Sequence, residues 1–175
     1  MTEPSPRFWE LFFELFESLP RQGPGNRSCT ERALAICVEL PNSPDIVDLG
    51  CGSGAGSLHL AELTRGSIVA IDSHGRSIER LQQIAKDRGL EDRIRAQVGD
   101  MSSLDLPDQS FDLVWSEGAL YNLGLDAGLG LCRRLLRPGG YLAFTDAVWL
   151  ASDPPAEVRA AFEADYPTMG TVDTV

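Results

Sequence analysis

Closely spaced cysteines are missing from this sequence. Cys29, Cys37, Cys51 and Cys132 form no Cys-x-x-Cys pair and no Cys/His spacing of a zinc site. That argues against a disulfide framework or structural metal and suits reduced thiols in a cytoplasmic protein. Runs of about 18 uninterrupted apolar residues are also missing, so no membrane-crossing helix is predicted. No basic stretch precedes an apolar core at the N-terminus, so no secretory signal is predicted, and the cytoplasm is the expected location. Positive charge is scarce: 15 Lys and Arg stand against 26 Asp and Glu, a formal net charge of -11. Such a surface repels phosphate backbones and anionic lipid, so the expected partner is a small molecule, with no nucleic acid and no membrane. No repeat, low-complexity tract or second core boundary interrupts the 175 residues, and 43% hydrophobic content suffices for one core.

What is present is a change of pattern near residue 42. Before it, Phe8 to Leu19 is aromatic with a polar stripe of Glu10, Glu14 and Glu17. Ser5-Pro6 supplies a cap and first turn, giving an amphipathic helix that packs on the domain or lies over a substrate site as a lid. A Pro/Gly connector, Pro20 to Asn26, leads to a second predicted helix over Cys29 to Leu40. Residues 1–41 therefore read as a helical cap or lid and residues 42–175 as the core.

In the core, short apolar runs alternate with amphipathic ones. Strands are predicted at Ile46–Leu49, Ile68–Ile71, Ile94–Val98, Phe111–Trp115 and Tyr141–Val148. Helices are predicted at Gly56–Leu63, Arg76–Arg88, Leu125–Leu136 and Pro154–Tyr166, the last capped by Asp153. This alternation is that of an α/β doubly wound, mainly parallel sheet with helices on both faces.

Chemistry gathers at the strand ends. Asp48-Leu49-Gly50-Cys51-Gly52-Ser53-Gly54 follows the first strand and opens a helix, where glycines permit close backbone approach to a nucleotide-like ligand. Alone it also satisfies the dinucleotide pattern, so an NAD-dependent oxidoreductase stays open. Asp72, with Ser73 beside it, ends the second strand about 20 residues later, where a carboxylate binds ribose hydroxyls. Asp100 and Met101 follow the third strand, offering an acceptor for an exocyclic amine and an apolar contact for a ring. The oxidoreductase reading leaves Asp100, Glu117 and the Pro138-Gly139-Gly140 turn without a role, and a Tyr-x-x-x-Lys pair is missing.

Together, Val47 to Gly54, Ala70-Ile71-Asp72, Val98-Gly99-Asp100-Met101, Phe111 to Glu117 and Leu136 to Leu142 resemble the ordered motifs of class I, Rossmann-like S-adenosylmethionine-dependent methyltransferases. The similarity leans towards the small-molecule enzymes of the ubiquinone/menaquinone type, and Ser116 to Asn122 resembles a bacterial subgroup of uncharacterised enzymes. The resemblance implies S-adenosyl-L-methionine as cofactor and S-adenosyl-L-homocysteine as product. Asp48, Gly50, Cys51, Gly52 and Gly54 would lie at its methionine end, Asp72 and Ser73 at the ribose, Asp100 and Met101 at adenine, and Ser116 near the reactive methyl. Glu117 is the candidate base or else a cofactor or helix-capping contact, Tyr121 and Asn122 are substrate contacts, and Trp149 a possible wall. His59 reads as exposed, His74 as an exposed turn histidine or a neighbour of adenine or ribose, and Arg21 as a solvated arginine or one that recognises a carboxylate. The family sheet usually has seven strands. Only five can be placed, so strands six and seven are expected to be absent, leaving the core C-terminally truncated. Two consequences are a possible homodimer over the exposed edge, or a non-catalytic cofactor-binding module.

Overall fold

The computed structural model describes residues 5–175; residues 1–4 of the expected N-terminal cap lie outside them. The chain runs α1 (Pro6–Ser18), α2 (Arg27–Ile36), β1 (Asp45–Leu49), α3 (Ala55–Leu63), β2 (Ser67–Asp72), α4 (Gly75–Asp87), β3 (Ile94–Val98), β4 (Phe111–Glu117), α5 (Leu125–Leu135), β5 (Leu136–Thr145) and α6 (Ala156–Asp165). The five strands form one sheet in the order β3-β2-β1-β4-β5, and all four pairings are parallel. The order reverses between β1 and β4, which opens a crevice beyond their carboxyl ends.

Side-chain alternation sorts the core into two layers. Ile46, Ile68, Ala70 and Leu113 pack with Leu60 of α3 and with Ile78 and Leu81 of α4 on one face. Val47, Leu49, Ile71 and Val114 pack with Cys132 and Leu135 of α5 on the other. Because both faces are covered, β1 and β4 read as nearly continuous apolar runs. Gly89, at φ +64°, ends the α4 segment as expected, its N–H donating to the Lys86 carbonyl at 3.1 Å.

Helix α1 starts as anticipated: the Ser5 hydroxyl accepts the Phe8 N–H at 3.3 Å and Pro6 opens the first turn. None of its residues is buried. It rests on α4 through the Phe13 ring, stacked on His74 with centroids 4.7 Å apart, and through Glu17, which meets His74 Nε2 at 2.9 Å and Arg76 at 3.3 Å. Among the described residues no helix is long and apolar enough to cross a membrane.

Three boundaries differ from the sequence expectation. Helix α2 is capped by Asn26, whose Oδ1 accepts the Ser28 N–H at 2.9 Å, and stops at Ile36. Ile36 and Val38 are exposed, so the apolar spacing past residue 36 marks no buried face. The β5 ladder already begins at Leu136 and then jumps, Leu136 facing Phe111 and Tyr141 facing Leu113, so Arg137 to Gly140 form a bulge. Regular pairing then ends at Thr145, before the predicted Val148. Helix α6 starts at Ala156, and Asp153 does not cap it. Pro155 pushes Pro154 away from helical dihedrals, which moves the start downstream.

Candidate functional site

A cavity of about 890 Å³ lies at the carboxyl ends of the strands. Asp72, at the end of β2, and Asp100, two residues after β3, stand on one side, and Thr145 and Asp146, at and after the end of β5, on the other. The glycine loop lies between them, and the connector after α1 adds Phe16, Arg21, Gln22, Gly23 and Pro24.

The loop is held by its own hydrogen bonds. Gly50 and Cys51 donate to the Ile71 carbonyl at 2.8 and 3.0 Å, and Gly54 donates to the Cys51 carbonyl at 2.9 Å. Gly52 donates to Asp72 Oδ2 at 2.8 Å, and Ser53 to Gln22 Oε1 at 2.9 Å. Gly50 requires its glycine twice over: φ is +72°, and a Cβ would collide with that of Ala119. The loop N–H groups of residues 50–54 are thus all engaged within the chain. The first-turn N–H groups of α3 have no intrahelical acceptor by construction, and two residues of that turn, Ala55 and Gly56, line the cavity.

Asp48 is 3% exposed beneath the loop and accepts the Ser57 hydroxyl at 2.5 Å. Burial pushes its pKa up to about 6, and neighbouring Asp72 adds to the rise against the Ser57 bond. Burial, aided by Asp48 and Asp72, also keeps the Cys51 thiol well above its ordinary range. Gly56 leaves open the space above Asp48: a Cβ there would stand 3.5 Å from Asp48 Oδ2, 3.5 Å from Glu117 Oε1 and 3.3 Å from Trp115 Nε1.

At the end of β4, Glu117 Oε1 accepts the Trp115 Nε1–H at 2.9 Å and Oε2 forms an ion pair with Arg21. Both charged side chains are about five-sixths enclosed, at 16% and 17% exposure. Arg21 Nε donates to the Gly23 and Pro24 carbonyls, both at 3.2 Å, whereas Nη1 is buried without a partner. A buried guanidinium N–H without an acceptor is costly, and an incoming anion would satisfy it.

The far end is built by residues after β4 and β5. Tyr121 lies in a short 3-10 turn, Leu120–Leu123, and its ring packs at a 33° tilt on that of Tyr166 with centroids 5.2 Å apart. The buried Tyr166 hydroxyl donates to Asp146 Oδ2 at 2.8 Å, and the Ala147 N–H reaches Oδ1 at 2.9 Å. Burial and then Asp146 push the Tyr166 pKa up to about 12.

Of the residues singled out from sequence, Asp48, Gly50, Cys51, Gly52, Asp72, Ser73, Asp100, Met101, Glu117, Tyr121 and Asn122 all line this one cavity. Ser116 does not. Strand alternation turns it away from Trp115 and Glu117, and its buried hydroxyl donates to the Leu49 carbonyl at 2.8 Å, tying β4 to β1. Gly54 is also off the wall, capping α3 at φ +86° against Leu81, so its glycine serves packing. Trp149 packs on Phe162, with Arg159 over its ring 5.4 Å from the centroid, and forms no wall. His59 is half-buried with an unpartnered Nδ1, and burial lowers its pKa. Arg21 is enclosed and already holds a carboxylate.

Sequence reasoning missed Gln22, Trp115 and Asp146 on the wall. Asp146 could have been found by the rule that located Asp72 and Asp100, a carboxylate just past the carboxyl end of a parallel strand. Gln22 lies in an irregular connector whose path no periodicity reveals.

Residues 46–140 match the profile of a family described as a methyltransferase domain. Dimethylglycine N-methyltransferase of Parasynechococcus marenigrum is 36% identical over 114 residues, covering 65% of this chain and 41% of that protein. Sterol 24-C-methyltransferase of Pneumocystis carinii is 26% identical over 121 residues, covering 69% of this chain and 32% of that one. The chain spans less than half the length of these curated relatives. A solved S-adenosylmethionine-dependent methyltransferase of Geobacter sulfurreducens, in complex with S-adenosyl-L-homocysteine, superposes with a TM-score of 0.80 at 21% identity. That match covers 99% of this chain and 68% of the other. Fold, glycine loop and matched residues agree, and the chain belongs to the methyltransferase-domain family, with the fold of a solved S-adenosylmethionine-dependent methyltransferase.

Proposed function

We propose that this protein transfers a methyl group from S-adenosyl-L-methionine to a small molecule by in-line displacement, the cofactor lying along the loop side of the cavity. The observation that carries the reading is the enclosure of the Gly50–Ser53 loop, Asp72, Asp100 and the unpartnered Arg21 Nη1 in one cavity. The residues suit the cofactor's charges. Arg21 Nη1 would take its carboxylate, and the space over Gly56, between the Asp48 and Glu117 oxygens, would take its ammonium. Asp72, with Ser73, would bind the ribose, and Asp100 with Met101 the adenine. When bound, the cofactor supplies a methyl on a sulfonium, an excellent leaving group, so the protein contributes mainly alignment.

Glu117 would act by holding Arg21 and the cavity wall, because both its oxygens already accept hydrogen bonds. Tyr121 and Asn122 would face the acceptor. Residues up to 41 would serve as a cap, supported by Phe16 and Arg21 to Pro24 on the wall, and residues 42–175 as the cofactor-binding core. The net charge of -11 favours an acceptor other than nucleic acid, and the scattered cysteines a cytoplasmic home. The uncovered edge of β5 would suit pairing with a second copy.

Calorimetric titration with S-adenosyl-L-methionine and with S-adenosyl-L-homocysteine tests the reading. Saturable binding of both is expected; a well-folded protein giving no saturation with either would sink it.

A further inference from the structure

The acceptor end of the cavity has a charge pattern that the family match does not reach, since Asp146 and Tyr166 lie beyond residue 140. Asp48, Asp72, Asp100, Glu117 and Asp146 all line the cavity, and Arg21 is the one lysine or arginine on its wall among the described residues. Arg21 is already neutralised by Glu117. Among the described residues no histidine lines the cavity either. An acceptor hydroxyl would have to lose its proton here and then approach as an anion through a field of carboxylates, which opposes it. An amine also gives up a proton, but it arrives as a cation that the carboxylates attract, attacks neutral and leaves cationic, so the field opposes no anion and stabilises the charge that returns along the reaction.

The local geometry at the end of β5 fits such a product. Asp146 spends one lone pair on the Tyr166 hydroxyl and one on the Ala147 N–H, and a carboxylate offers about four, so it can still accept from a ligand. Tyr121 lies on the same wall, its ring backed by Tyr166. An aromatic face beside a fixed carboxylate is the pairing that binds substituted ammonium groups.

Building on the methyl-transfer reading, we infer that the acceptor is an amine, with Asp146 and the Tyr121 ring facing the charge that develops on nitrogen and Tyr166 positioning both. In the step, the bound ammonium first gives its proton to water, and the freed nitrogen lone pair then forms the new N–C bond while the S–C bond breaks and its electrons remain on sulfur. The positive charge passes from sulfur to nitrogen, and a primary or secondary amine afterwards releases its proton to water. Tyr166 remains a donor to Asp146 at any working pH, since its own proton is lost only near 12.

The probes are choline, a trimethylammonium alcohol, and 3,3-dimethyl-1-butanol, its neutral carbon isostere, titrated into the full chain saturated with S-adenosyl-L-homocysteine. Choline is expected to bind about tenfold more tightly than the isostere. Asp146→Asn is expected to remove that preference with cofactor affinity unchanged, and Asp146→Glu to restore part of it. Tyr166→Phe keeps the ring contact with Tyr121, so it is expected to lower the choline-to-isostere ratio several-fold with the melting temperature little changed, which a purely structural role would not do. A parallel turnover screen is expected to release S-adenosyl-L-homocysteine with small tertiary amines and not with phenols or carboxylic acids. Equal or absent binding of the two probes, a preference that survives Asp146→Asn, or turnover of phenols in place of amines would overturn the inference. Failure of the cofactor itself to bind would instead remove the methyl-transfer reading beneath it.

Discussion

Strands β4 and β5 lie side by side in one sheet, yet β4 is buried at Phe111 and from Leu113 to Ser116, whereas no residue of β5 is buried. The cavity shows the same contrast. Its loop side is closed by backbone hydrogen bonds and by carboxylates fixed at the ends of inner strands. Its far side depends on α6, which buries none of its residues, and on the Tyr166 stack. On the proposed methyl-transfer reading, recognition of the cofactor would therefore be built into the packed core, and recognition of the acceptor into a thin outer layer that can change without disturbing that core.

The most severe test places a methyl group at one glycine in each region. Gly50→Ala meets both a positive φ and the Ala119 side chain, so a loss of S-adenosyl-L-methionine affinity of roughly 100-fold or more is expected by calorimetry. Gly139→Ala, in the β5 bulge, also carries a positive φ but meets open space. It is expected to cost only about 1 kcal/mol in denaturant melts and to leave cofactor affinity intact. Equal effects at the two glycines would erase the contrast.

Next is Asp48→Asn. Because burial raises the Asp48 pKa from 3.8 to about 6, its contribution to stability is full below the unfolded value and is lost as pH rises through 6. At pH 8 the substitution is expected to stabilise the protein by about 3 kcal/mol, an advantage that shrinks below pH 6 and vanishes near 4. It is expected at the same time to weaken cofactor binding, marking the carboxylate as a group held for binding at the expense of the fold. Urea melts across that pH range, with a cofactor titration at pH 8, measure both. The smallest effect belongs to the outer layer: Phe162→Ala, in a side chain already 49% exposed, is expected to cost less than about 1 kcal/mol with cofactor affinity unchanged.

The same division governs what could be read from the sequence. The sheet was legible because β1, β2 and β4 are apolar runs covered on both faces, and α4 because Ile78, Leu81 and Ile84 share one face. The wall carboxylates Asp72, Asp100 and Glu117 were legible because each stands at or just past the end of a strand. Ser116 misled because its neighbours do line the cavity and only strand alternation, read against the fold, turns it inward. Arg21 and Gln22 were obscure for another reason. They reach the site across the chain, meeting Glu117 and Ser53, and an irregular Pro/Gly connector leaves no periodic trace of such a contact.

The bond from the Ser53 N–H to Gln22 Oε1 has a thermodynamic consequence. Since it occupies the last donor of the loop, the loop would, on the proposed reading, meet the cofactor already ordered and surrender little backbone entropy on association. Binding is then expected to carry the modest heat-capacity change of a preformed pocket, without the large one that accompanies coupled folding. Gln22→Ala shifts part of that ordering into the binding step itself.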